Sequence, residues 1–196
     1  MFLPHTTEDQ LLDNWSGNEL NFMSWAAIMQ SICARFPSLG PVTRQVIYNV
    51  LAELTANISD HAYPNGSESE KWWNISLFHC DTDSIRVEVA DKGVTIPKSI
   101  SAKMSGTARA SEDHIPQSDF IRYAITSEYR AVKDGRGKGL ASIIRLIDSG
   151  HVQLVSINSG LGSWSSSASG TFLVDRDAAI KGTTVSIVIN VPEGMQ

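Results

Sequence analysis

The chain has 196 residues, of which 42% are hydrophobic and 19% charged. That suits one domain able to build a core without disulfides or structural metal. A net charge of -5 with no basic tract argues against nucleic acid as the main partner, because phosphate-backbone binding is dominated by Lys and Arg. Cys33 and Cys80 lie far apart, and His5, His61, His79, His114 and His151 are scattered, so no CxxC or zinc spacing exists. The N-terminus lacks a basic-then-apolar leader, and no apolar run approaches the roughly 20 residues of a membrane helix. A soluble, cytoplasmic protein without a membrane partner is expected.

In chain order, residues 1–16 are polar and unpatterned and read as a loose lead-in, extended to residue 18 as the N-terminal boundary. From Glu19 to Phe36, Leu20, Met23, Ala27, Ile28 and Ile32 recur at helical spacing, and Pro37 and Gly40-Pro41 end the run. This helix either packs on its own domain, as a single apolar stripe favours, or mediates a homodimer, and Met23, Trp25 and Ile28 suit either use. A second helix is expected from Val42 to Ala62, with Val46, Val50, Leu51, Leu54 and Ile58 buried. Asn74–Cys80 and Ser84–Ala90 alternate apolar and polar residues around the turn Asp81-Thr82-Asp83, which predicts an antiparallel hairpin. Residues between Pro97 and Pro116 are weakly patterned. Helices are expected over Ser118–Ala131 and Leu140–Asp148, and strands over His151–Ile157, Gly170–Val174 and Thr183–Val191, with Gly160–Gly170 as a hairpin loop. Helices covering one face of a largely antiparallel sheet make an α+β domain over residues 19–196. The late position of the glycine cluster, after a loop, argues against a Rossmann unit.

Three segments are weak singly and specific together. Glu53, Asn57 and His61 stand at i, i+4 and i+8 on the second helix, hence on one stripe. An amide oxygen there suits magnesium, and a carboxylate one turn away suits proton abstraction. The strand Val87–Ala90 ends in Asp91-Lys92-Gly93. That pattern is either an ordinary turn or a carboxylate set to accept a hydrogen bond from an exocyclic amine, with Gly93 letting backbone approach a flat base. Gly135-Arg136-Gly137-Lys138-Gly139-Leu140 opens directly into a helix; alternate glycines and a helix N-terminus favour phosphate. No Walker A loop is present.

In this order and spacing the three segments resemble the N, G1 and G2 boxes of the GHKL ATPases, and Lys181-Gly182-Thr183-Thr184-Val185 resembles that superfamily's final Gly-Thr element. The resemblance covers residues 42–191. Glu-x-x-x-Asn followed by His-Ala-Tyr is most similar to the anti-sigma-factor serine kinases. It implies a two-layer sandwich, with helices on one face of a mixed, mainly antiparallel sheet. It implies ATP (or ADP) and magnesium as cofactors, Glu53 as general base, and Asn57 as magnesium ligand. Asp91 would bind the adenine amine, with Gly93 and Ile96 beside the base and Thr183 supporting the adenine pocket. Gly135, Arg136, Gly137, Lys138, Gly139 and Leu140 would line the triphosphate, His61 would lie near phosphate or pack, and residues 98–134 would form a lid. The family's second G1 glycine is here Thr95, whose β-branched side chain disfavours positive φ. Binding is therefore better supported than turnover.

The resemblance implies an ATP-dependent switch acting on a regulatory protein, a sigma factor or antagonist-like domain by analogy, through serine or threonine phosphorylation. Two other readings stay open: a nucleotide-binding interaction module without turnover, and a stand-alone histidine-kinase catalytic domain.

Overall fold

The computed structural model describes residues 9–18, 22–37, 39–64, 71–81, 83–105, 115–126 and 139–191. They form an α+β domain in which helices cover one face of a five-stranded sheet. Helix α1 spans Phe22–Arg35 and buries Ile28 and Ile32 in the domain's own core. The side chains of Met23 and Trp25 lie outside the described residues.

Helix α2, Pro41–Asn57, begins with proline at a position whose N–H would have no helical partner anyway. Val46, Val50, Leu51 and Leu54, with Ile58 just beyond the helix, are buried as the periodicity predicts, and Ile47 is buried with them. At Ile58–Ala62 the helix widens into a π-turn. In the preceding turn the buried Thr55 hydroxyl donates to the Leu51 carbonyl at 2.8 Å, a back-bond that loosens α-helical geometry.

The predicted hairpin is present as strands β2, Trp73–Asp81, and β3, Ser84–Asp91. They pair antiparallel, with Ile75 opposite Val89 and Trp73 opposite Asp91. The expected loose lead-in is corrected by strand β1, Gln10–Gly17, which pairs antiparallel with β2 at the sheet edge. Its pattern is broken because Asp13 points inward. The Asp13 carboxylate accepts from the Ser31 hydroxyl at 2.7 Å and from Arg35 Nε at 3.3 Å, both on α1. The Ser31 hydrogen bond is the main reason that this carboxyl is held below its usual range.

Residues beyond Pro97 also differ from expectation, because helix α3 spans Ile96–Ser105. Helix α4, Gln117–Ile125, ends earlier than predicted, and helix α5 covers Gly139–Asp148. The three expected late strands are two long ones, β4, Val152–Ser167, and β5, Gly170–Asn190. The stretch assigned to a Gly/Ser loop is therefore mostly strand, with the turn confined to residues 168–169. The described sheet runs β1-β2-β3-β5-β4 and every pairing is antiparallel, which corrects the expectation of a mixed sheet.

Ile47 and Leu51 of α2, Ile121 of α4 and Ile143 of α5 meet Leu77, Val87, Ile157 and Ile187 of the sheet in one core. The other sheet face is finished by polar contacts, such as Asn14 Nδ2 donating to Ser76 Oγ at 2.9 Å. Arg86 stacks 4.2 Å from the Phe78 ring centroid there and pairs with Asp9 at 2.9 Å. Among the described residues no helix is long and apolar enough to cross a membrane.

Candidate functional site

Between the helical layer, the end of β3 and the interior of β5 lies a cavity of about 130 Å³. Asn57 and His61 come to it from α2 and its π-turn, Asp91 and Thr183 from the sheet, Ile96 from α3 and Leu140 from α5. Six of the residues singled out in the sequence thus share one cavity, although they are spread over 127 positions (57 to 183).

Asp91 is the distinctive group. Its side chain is buried, and the residue is only 8% exposed. One carboxylate oxygen accepts from the Gly93 N–H at 2.8 Å, and the carboxylate also accepts from the Thr183 N–H. Burial among apolar walls outweighs both hydrogen bonds and pushes the carboxyl up to about 6. A carboxylate has roughly four lone-pair directions, so two backbone donors leave room for a donor from a ligand.

The backbone around Asp91 fixes its place. Gly182 has φ +76°, and a Cβ there would lie 2.1 Å from the Asp91 carbonyl oxygen. Only glycine meets both conditions. A Cβ on Gly93 would lie 2.1 Å from the Ala62 carbonyl oxygen, which accepts the Val94 N–H at 2.7 Å. Gly93 therefore serves the approach of the π-turn to the Asp91 loop, and it is not among the residues lining the cavity.

Two hydroxyl groups complete this joint. Ser159, fully buried on β4, accepts the Ile96 N–H at 2.8 Å and lies 2.8 Å from the Thr183 hydroxyl. It links β4, β5 and the start of α3. Tyr63 Oη donates to the Trp72 carbonyl at 2.6 Å and accepts the N–H groups of Trp72 and Lys92 at 3.1 and 3.0 Å. Lys92 Nζ in turn sits 4.1 Å from the centroid of the Trp72 ring.

Thr95 has a local structural reason. Its carbonyl accepts the Ser99 N–H at 2.9 Å and its hydroxyl faces the Lys98 N–H at 3.4 Å, so it caps α3. Threonine is a favoured cap because its oxygen satisfies a first-turn N–H, which glycine cannot do.

The remaining sequence candidates divide clearly. Glu53, one turn before Asn57, is half-buried and stands outside the cavity lining. Asn57 Nδ2 is buried without a hydrogen-bond partner, a costly state for an isolated protein and one a ligand acceptor would relieve. Gly135, Arg136, Gly137 and Lys138 lie outside the described residues, as do residues 106–114 and 127–134 of the expected lid; Gly139 opens α5. Among the described residues no group of three His, Cys, Asp or Glu side chains is placed to hold a metal. Asn57 alone offers one amide oxygen, so magnesium would need ligand phosphates and water for its other positions.

Sequence reasoning missed Ser159 and gave the Gly-Thr element's role to Thr183 alone. A serine within a Gly/Ser-rich stretch carries no sign of its partners. Gly182 was visible as a glycine entering a strand, a known sign of close backbone approach. No family model matches the chain, and no curated protein is significantly similar to it.

Proposed function

We propose that this chain is an ATP-binding regulatory domain of the GHKL type, acting as a switch on a protein partner. The observation that carries this reading is the buried Asp91 carboxylate at the end of β3, opening with Asn57 and Thr183 onto one largely apolar cavity. A flat heteroaromatic ring suits such walls, and its exocyclic amine suits an acceptor that has already lost its water. Asn57 would hold magnesium together with phosphate oxygens, and bound magnesium would neutralise charge developing on a transferring phosphoryl group. Residues Gly135–Gly139 would supply backbone N–H groups to the phosphates. Glu53 would take the proton from a partner's serine or threonine hydroxyl.

A second reading, nucleotide binding without turnover, draws on two observations. Glu53 stands off the cavity lining, and Thr95 is committed to capping α3. The two readings share the binding step, which calorimetric titration with ATP and magnesium tests. Asp91→Asn is expected to weaken binding at least tenfold, and Asn57→Ala to abolish its magnesium dependence. Absence of binding to the wild type at millimolar ATP would end both. Phosphate transfer or release that disappears in Glu53→Ala selects the first reading; none in either protein selects the second. Acid-labile phosphate on a partner would instead indicate histidine phosphorylation.

A further inference from the structure

Helix α3 lies where the resemblance expects a lid to begin, yet it is an ordered wall of the cavity. Ile96, Ser99, Ile100 and Lys103 all line it, at the i, i+3, i+4, i+7 spacing of one helical face. The two ends of that face differ in chemistry. At the start, Thr95 caps the helix and the Ile96 N–H bonds Ser159, which joins Thr183 beside Asp91. Lys103 lies eight residues beyond Thr95, roughly 12 Å farther along the helix axis, and is exposed to solvent.

The cavity is therefore polarised. A desolvated carboxylate occupies its inner end and an ammonium stands on its rim, with apolar side chains between them. Lys103 is the one Lys or Arg among the described lining residues. A ligand that fills this space needs a hydrogen-bond donor at the buried end and an anionic group about two helical turns away.

We infer that Lys103 is a phosphate-binding residue, so that α3 selects a phosphorylated nucleotide over the corresponding nucleoside. This rests on the nucleotide reading of the Asp91 cavity and adds a determinant that none of the three sequence segments contains. A lysine here acts as a flexible point charge, and its partly solvated position makes its effect sensitive to salt. Ser99, one turn earlier on the same face, adds a hydroxyl between the two ends.

The test compares adenosine with ADP and magnesium by calorimetry, on the full chain and on Lys103→Met and Lys103→Arg. Methionine keeps an unbranched stem without the charge. The expected result is a loss of about tenfold in ADP affinity for Lys103→Met, with adenosine affinity changed by less than about twofold. Lys103→Arg should recover most of the ADP affinity. Equal losses for both ligands, or no loss for either, would overturn the assignment while leaving the nucleotide reading intact. A wild-type protein that binds neither ligand would overturn both. Circular dichroism and unfolding midpoints matching the wild type show that each variant is folded.

Discussion

Replacing Asp91 by Asn should remove a specific pH dependence from the protein's stability. The folded-state carboxyl is raised from 3.8 to about 6, so the folded protein holds this proton more tightly than the unfolded chain. The sign follows from linkage: stability is greatest below the unfolded pKa, falls as pH rises from 3.8 through about 6, and is level above that. The whole shift corresponds to about 3 kcal/mol, at about 1.36 kcal/mol per pKa unit. Part of the titration is complete at pH 4.5, so between about pH 4.5 and about pH 7.5 the wild type should lose about 2 kcal/mol more than Asp91→Asn. Urea unfolding of both proteins at those two pH values measures the difference directly, and all other titrating groups cancel in the comparison. Parallel stability–pH curves would refute the claim that Asp91 is ionised at a desolvation cost in the folded state.

Ligand binding should report the same group, because a donor amine favours the ionised carboxylate; ATP affinity should decline as pH falls below about 6 in titrations of the wild type and stay flatter in Asp91→Asn. Gly182→Ala should destabilise by more than about 2 kcal/mol, since it combines a positive φ with an overlap at the Asp91 carbonyl; a smaller loss in urea would show that β5 can shift away. Ser159→Ala should cost about 1–3 kcal/mol by leaving the Ile96 N–H and the Thr183 hydroxyl without their partner, again read from unfolding. Asp175→Ala should cost about 1–2 kcal/mol, the value of a helix cap. Burial acts against the Asp175 charge, but the N–H groups of Ser118 and Gln117 outweigh it and hold the carboxyl below its usual 3.8. That stabilisation is present above this value and fades as pH falls through the folded pKa, so thermal unfolding of wild type and Asp175→Ala should converge in acid.

The elements with regular periods were legible in the sequence, and those with interrupted ones were not. Helix α2 shows its stripe from Val46 to Ile58, and the β2–β3 hairpin its alternation, because each buries one continuous apolar face. Strand β1 was hidden by Asp13, a core-side carboxylate satisfied by α1, a contact no local window contains. The middle of β4 was hidden by Gly160 and Gly162, which read as loop punctuation. In the fold Gly162 lies against the Gln117 backbone, where a Cβ would come within 2.7 Å. Asp91, Asn57 and Thr183 could be singled out by residue type and order. Their common cavity depended on Gly182 and Ser159, whose roles exist only once β4, β5 and α3 meet.

Strands β4 and β5 continue past the shared sheet as a two-stranded arm, and Asp175 on that arm caps α4. Its oxygens accept the N–H groups of Gln117 and Ser118 at 2.8 and 2.7 Å, across 58 and 57 residues. The helix has no cap of its own, because Pro116 stands at that position without a side-chain acceptor. Its first-turn N–H groups are capped by a residue distant in sequence, so forming that cap carries a loop-closure cost. The hairpin arm thereby holds the start of α4 in place. Ala124 of α4 lines the cavity, so one wall of that cavity is tied through the Asp175 cap to the β4–β5 arm.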